Sequence, residues 1–292
     1  MNNVNNADRG ILSSYDLRKP ANRIVYALML IVIVLMVLSM LYPIAIAFFN
    51  GVKANTEVNS FPPTFWPKSW HWDNYGAGWH YIDLMKYFRS TMLIFIGNMA
   101  VTVVVLGLAS FSLSRLDWPY RKAVYYFFLA TLFIPPTTYI IPNFINLKEL
   151  GLLNTYWAFW LPAGAQAFYL LLLKTFFDGI SSELFESARI DGASELRIFG
   201  QIAFPLSIPI FATLAIFVFG SAWNDWFWPS FVLNGEKYPL ATAIKRFVID
   251  ARRLDLNVRF AILTMVMVPP VAIFLVFQRF IIRGLHLGGV KG

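Results

Sequence analysis

Six stretches of this chain run for 18 residues or more without Asp, Glu, Lys, Arg or His: 24–52, 90–114, 123–147, 150–173, 198–224 and 260–278. The hydrocarbon core of a bilayer is ~30 Å thick, and a helix of ~20 apolar residues crosses it. Inside that core no water satisfies backbone N–H and C=O groups, so a spanning segment must pair them internally as a helix. A β-barrel would instead show alternating segments of ~10 residues. A helix of this length in a soluble protein would carry a polar stripe. The pattern therefore predicts an all-α polytopic membrane protein with six transmembrane helices. The first run is too long for the apolar region of a signal peptide, and no small-residue cleavage site stands near its end, so it is expected as a retained span.

Composition narrows the function classes. The 292 residues are 58% hydrophobic and 14% charged. Soluble domains carry ~25% charged residues, so this chain has too little charge to coat a globule in water and is too apolar for disorder. Cysteine is absent, which excludes disulfides, thiolate nucleophiles and Cys-based metal sites. The histidines, His71, His80 and His286, lack the i, i+4 spacing of a helical zinc motif. A net charge of +8 suits nucleic acid or a membrane surface. Basic cytoplasmic loops of a membrane protein explain it more simply, and no nucleic-acid partner is expected. No ionisable group lies within the runs, which argues against an ion-coupled secondary transporter. No paired carboxylates or histidines stand at membrane depth for an embedded enzyme.

Orientation is less sharply drawn. Six spans put both termini on one side. Near the span ends, Arg18, Lys19 and Arg23, with the short loop bearing Arg115, Arg121 and Lys122, favour that side as cytoplasmic. Lys237, Lys245, Arg246, Arg252, Arg253 and Arg259 argue the other way. Proline pairs at Pro135–Pro136 and Pro269–Pro270, with Pro43, Pro142 and Pro162, predict kinks within the spans.

Three connections carry information. Loop 53–88 holds Pro62, Pro63 and Pro67, with Trp66, Trp70, Trp72, Trp79, Tyr75 and Tyr81. It fits either an interfacial aromatic belt or a partner's docking surface. Loop 225–259 is long and charged, with a turn at Asn234–Gly235; loops of this length are commonly functional. Its basic residues suit a solvated face. Segment 174–203 reads KTFFDGISSELFESARIDGASELRIFGQIA. Ser181 or Ser182 suits an N-cap, with Glu183 and Glu186 near the positive helix end. Gly192 suits a helix-ending position, and Ser194 a second N-cap ahead of Glu195. The result is a helix–turn–helix at the membrane surface, with an apolar face bearing Leu184 and Ala188. That face packs either on lipid or on protein.

At this segment the sequence resembles the membrane subunits of binding-protein-dependent ABC importers. Their cytoplasmic motif is E-A-A, three residues, G, nine residues, I-x-L-P. Here Glu186-Ser187-Ala188 is followed at that spacing by Gly192, and Ile202-Ala203-Phe204-Pro205 closes the motif. Ser187 and Phe204 depart mildly from it. ESARIDG at 186–192, the stretch Ser221–Pro229, FPPTFWP at 61–67 with Asn74–Tyr75, and the ending GLHLGGVKG also resemble the carbohydrate-type importers, over about residues 20–292. The likeness is nearest to the shorter, six-span subunit of maltose-type permeases.

The resemblance implies a type I ABC importer permease fold. It divides the chain into a cytoplasmic tail 1–23, a transmembrane domain 24–285 with a coupling loop at about 178–205, and a cytoplasmic tail 286–292. It also implies a bacterial inner membrane location with both termini cytoplasmic. Partners would be a second permease subunit, two ATP-binding subunits, an extracytoplasmic solute-binding protein and membrane lipid. Glu186, Ser187, Ala188 and Gly192 would couple to the ATPases, with Arg189, Asp191 and Glu195 as flanking salt-bridge candidates. The chain lacks G-x-x-x-x-G-K-[ST], so no catalytic residue, cofactor or metal is expected on it, and ATP with Mg would sit on partner subunits. The cargo would be a sugar or oligosaccharide, for which the six basic residues of 236–259 suit either an anionic saccharide or a merely solvated face, or else a non-sugar solute such as a glycerol phosphodiester, amino acid or peptide. Asn98, Asn143, Gln166, Asn224 and Asp225 are candidates for a polar path. Trp223, Trp226 and Trp228 either stack on sugar rings or anchor the outer end of the fifth span.

Overall fold

The structure, a computed structural model, describes residues 20–288. The side chains of Ala21, Phe277 and residues 279–288 lie outside that description, as do most of the expected N-terminal tail and the end of the C-terminal one. The described residues form helices and no strand. They divide into two compact units, one holding the chain up to Gly78 together with Asp255–Met265, the other holding Trp79–Leu254 and the chain from Val266.

The first unit begins with helix α1 (Pro20–Gly51), which is exposed along 24–44 on every face. A sequence apolar all round suits such a helix to lipid or to a neighbouring chain. Its end is closely packed. The backbone of α1 at Gly51 approaches Ala261 so tightly that a Cβ there would lie 3.0 Å from Ala261 Cα. Helix α2 (Asp73–Tyr81) carries in its first turn Asn74, whose side chain donates to the carbonyls of Gly51 (3.0 Å) and Lys53 (2.9 Å) and accepts from Asn257 Nδ2 (2.9 Å). Lys53 is 1% exposed; its ammonium donates to Asn50 Oδ1 at 3.0 Å and to the Thr64 carbonyl. Burial pushes its pKa down, and the Glu57 carboxylate opposes that. Glu57 in turn accepts from Thr64 Oγ1 at 2.8 Å and from Lys68 N. This polar knot holds the proline-rich stretch without regular helix. Beside it Phe49, Phe65, Trp66, Trp70 and Trp72 form a continuous ring cluster whose tryptophans are about half exposed.

The second unit is organised around helix α3 (Leu84–Arg115), capped by Asp83, which accepts from Lys86 N at 3.0 Å. A π-helical turn, Thr102–Leu106, interrupts its middle. The next elements are α4 (Arg121–Thr131) and α5 (Ile140–Glu149), then α6 (Trp157–Ala163) and α7 (Ala167–Asp178). Helices α8 (Ser182–Ile190), α9 (Glu195–Leu206) and α10 (Ile208–Asn224) follow. Short helices α11 (Phe227–Val232) and α12 (Leu240–Ile244) occupy what the sequence suggested was loop. Helix α13 (Leu256–Gly288) closes the chain. The core of this unit is Leu106, Phe111, Leu170, Leu173, Phe177, Phe185, Phe211 and Leu214.

Three helices, within Asn22–Gly51, Leu84–Arg115 and Leu256–Val276, are long and apolar enough to cross a membrane. Two bent pairs bring the number to five at most: α4 with the stretch Pro136–Glu149 (96°), and α9 with α10 (74°). The expected break at Pro135–Pro136 is therefore a sharp bend. The second bend falls at Ser207, between Pro205 and Pro209, because Pro209 has no N–H to offer the carbonyl four residues back. Run 150–173, expected as one of six spans, is not a single long helix, and six spans are not reached by length and composition among the described residues. Gly151 and Asn154 take left-handed backbone at φ 67° and 57°, so helix starts only at Trp157. It then breaks again after Pro162, at residues 164–166, giving two short helices.

Candidate functional site

The segment bearing the motif folds as a hairpin of α8 and α9. Ser181 occupies the N-cap position without a side-chain cap bond, whereas Ser194 Oγ accepts from Arg197 N at 3.4 Å. Gly192 sits at φ 79°, a left-handed geometry that L-residues adopt at a cost. Arg189 reaches across the turn to Glu195 with Nε to Oε1 at 2.7 Å and a second bond to Oε2 at 3.2 Å. This bidentate pair pins the two helices together. Asp191 forms no ion pair among the described residues.

One face of the hairpin is fixed to the bundle. Phe185, 1% exposed, packs edge-on against Phe111 of α3 at 5.8 Å, and Phe111 meets Phe177 of α7 and Phe199 of α9. The Arg115 guanidinium stacks 4.7 Å from the Phe185 ring and donates to the carbonyls of Phe177 and Ile180. It thereby fastens the chain where α7 ends, the Phe177 carbonyl also accepting from Ile180 N at 3.1 Å. Phe185 and Arg115 were absent from the sequence candidates; the only signal was a phenylalanine three residues before Ala188 on the same face. The opposite face is open. Glu186, Ser187, Ile190, Asp191 and Gly192 are exposed, with Ile190 at 86% and Leu196 at 72%. Of the residues read as an apolar face, Leu184 and Ile190 are exposed and Ala188 packs against the bundle.

A second feature lies between α3, α5, α6, α7 and α10: a cavity of about 420 Å³. Its wall includes Asn98, Asn143, Gln166, Asp225 and Trp228 from the path candidates. Asn98 and Thr102 stand one turn apart on α3, and Ser221 and Asp225 one turn apart at the end of α10. Thr137, Tyr139, Phe159, Tyr169 and Phe227 complete much of the lining. Thr102 and Ser221 were legible as i+4 and i−4 neighbours of named candidates. The tyrosines carried no such signal. The Asn98 Oδ1 and Thr102 Oγ1 atoms are buried without a protein partner among the described residues. Asp225 Oδ1 accepts from the backbone N–H groups of Phe227 and Trp228 at 3.1 Å each, capping α11. Burial pushes its carboxyl above the usual range, while those two bonds pull the other way. A smaller hollow of about 80 Å³ shares Asn98, Ser221 and Asp225 with this wall.

Trp223, Asn224 and Trp226 do not join the cavity. They line a separate crevice of about 260 Å³ with Lys245 and Ile249. Trp223 is 8% exposed and packs on Phe88 and Phe219, so it serves as core. Trp226 lies under the Lys245 ammonium at 5.6 Å. The split follows from helical geometry: residues 223 and 224 point away from the face that carries Ser221 and Asp225.

Residues 103–287 match the family model of the binding-protein-dependent transport system inner membrane component. The chain is 31% identical over 237 residues to a polygalacturonan/rhamnogalacturonan transport system permease of Bacillus subtilis, covering 72% of this chain and 82% of that relative. It is 29% identical over 263 residues to a diacetylchitobiose uptake system permease of Streptomyces coelicolor, covering 87% and 84%. Its fold matches a chain in the crystal structure of a bacterial ABC transporter involved in the import of the acidic polysaccharide alginate. That match has a TM-score of 0.81, covers 89% of this chain and 98% of the other, and is 24% identical. With the long apolar helices, the fold and the matched residues together, the chain belongs to the family of inner membrane permease subunits of binding-protein-dependent ABC transport systems.

Proposed function

We propose that this permease subunit passes a sugar or oligosaccharide by alternating access, driven by ATP hydrolysed on two partner subunits, one of which grips the α8–α9 hairpin. The observation that carries this reading is the two-sided hairpin, with one face held on α3 and α7 through Phe185 and Arg115 and the other bare. An exposed acidic, small-residue and apolar surface on a rigid mount suits a preformed groove on another protein. Glu186, Ser187 and Gly192 enter that groove, Ala188 packs on the bundle side beside Phe185, and Arg189 and Glu195 keep the hairpin's shape.

Displacement of the hairpin reaches the cavity by two routes. Phe185 contacts Phe111, and α3 continues from there to Thr102 and Asn98. The hairpin's second helix also continues through the bend at Ser207 into α10, which ends at Ser221 and Asp225. Cargo contact falls to the cavity, whose amides, hydroxyls and ring faces suit saccharides. The saccharide assignment draws on permease relatives named for diacetylchitobiose and for polygalacturonan/rhamnogalacturonan. A second permease subunit supplies the facing wall, a solute-binding protein delivers cargo from outside, and the termini and hairpin lie in the cytoplasm.

The test is the complete importer in proteoliposomes with Glu186→Lys. Uptake falls by about tenfold or more, equivalent to ~1.4 kcal/mol of lost coupling, while assembly with the second permease subunit persists. Uptake equal to wild type would sink the coupling role.

A further inference from the structure

We infer that this chain's wall of the cavity selects an uncharged saccharide, with Asp225 as the residue that turns anionic ones away. The inference rests on the saccharide reading above and narrows it. Its first support is what the wall contains. Among the lining residues Asp225 is the single carboxyl, and none is Lys, Arg or His. A path built for uronic acids or phosphates would place guanidinium or ammonium groups on the wall to offset the anion's lost hydration.

The basic residues that the sequence offered for that purpose are engaged elsewhere. Lys237 donates to the Asn154 carbonyl at 2.7 Å. Lys245 pairs with Asp250 and covers the Trp226 ring. Arg246 lies over Tyr238. None of Arg252, Arg253 and Arg259 lines the cavity.

The second support is the set of unmet polar groups. Asn98 Oδ1 and Thr102 Oγ1 are buried in the wall with no protein partner among the described residues. An unpaired buried acceptor is costly, and a neutral hydroxyl that donates and accepts relieves it. Asp225 commits Oδ1 to two backbone donors, and no protein donor reaches its Oδ2 among the described residues. Asp225 lines the same wall as Asn98 and Ser221, and all three also border the smaller hollow. A sugar hydroxyl donates to Asp225 Oδ2, whereas a cargo carboxylate brings like charge against it in a poorly solvated site. Phe159, Phe227 and Trp228 add apolar ring surface of the kind that covers a pyranose face.

The test uses the complete importer in nanodiscs, without its solute-binding protein, so that an outside receptor imposes no selection. Cellobiose and digalacturonate at equal concentration are compared by saturation-transfer NMR. In the wild type the cellobiose signal exceeds that of digalacturonate by about fivefold. Asp225→Asn keeps the capping acceptor but removes the charge. It brings the two signals to within about twofold, chiefly by raising digalacturonate, and leaves thermal stability unchanged. Equal signals in the wild type would overturn the charge selection while leaving a saccharide path standing. An unchanged ratio in a stable Asp225→Asn importer would remove Asp225 from the role. Silence from both sugars in the wild type would instead refute the saccharide reading itself.

Discussion

Trp160 and Gly97 illustrate how much turns on a single atom. The indole of Trp160 lies flat on α3 where residue 97 has no side chain. A Cβ there would fall 2.0 Å from Nε1, which donates to the Leu93 carbonyl at 3.1 Å. Gly97→Ala therefore expels the indole, separates α6 from α3 and lowers the melting temperature of the purified importer, at a cost of ~1–3 kcal/mol for overpacking. An unchanged melting temperature would contradict that contact. Gly192 differs in kind: open space surrounds it, and only its backbone angle is demanding. Gly192→Ala costs ~1–2 kcal/mol through strain alone, seen as faster proteolysis at the hairpin without loss of the bundle. Gly192 was readable because it belongs to a spaced motif with capping residues on each side. Gly97 was not, because nothing local distinguishes a glycine under a distant indole from any other glycine in an apolar run.

At the scale of elements, the hairpin is mounted by one buried ring and one cation. Phe185→Ala removes the ring from between Phe111 and Arg115 and costs ~3–5 kcal/mol, so the 178–205 segment becomes susceptible to protease in membranes. Arg115→Lys keeps the charge but loses the planar fork over Phe185 and the shared carbonyl contacts, giving a milder form of the same change. Equal protease resistance in both variants would contradict the mount. Helix existence was legible from charge-free runs, and the helix start at Ser194 follows capping chemistry, whereas the cap at Asp83 is seen only in the structure. The interior of run 150–173 was not legible. Apolar composition licenses a helix but does not forbid the left-handed turn at Asn154, whose amide backbone donates to the Val232 carbonyl at 2.7 Å and whose Oδ1 accepts from Asn234 N at 3.0 Å. That partner is about eighty residues away, beyond any local pattern.

For the whole molecule, membrane class and family were both within reach of the sequence, because hydropathy is summed over long windows and the motif spans twenty residues. The cavity wall was only half readable. Helical spacing joins Asn98 to Thr102 and Ser221 to Asp225, yet it takes the tertiary arrangement of α3 and α10 to set Trp223 and Trp226 outside that wall. The same absence of a phosphate-binding loop that shaped the reading of partners has a direct check: the purified permease chain alone hydrolyses no ATP, and activity appears only with ATP-binding subunits present. The bend at Ser207 has a mechanical consequence. The hairpin's second helix and α10 meet at 74°, so under the proposed coupling Ser207 would work as an elbow between the point of effort and the load. Replacing Pro209 with Ala restores an N–H and lets the arm straighten, so the stroke shortens while the grip at each end stays intact.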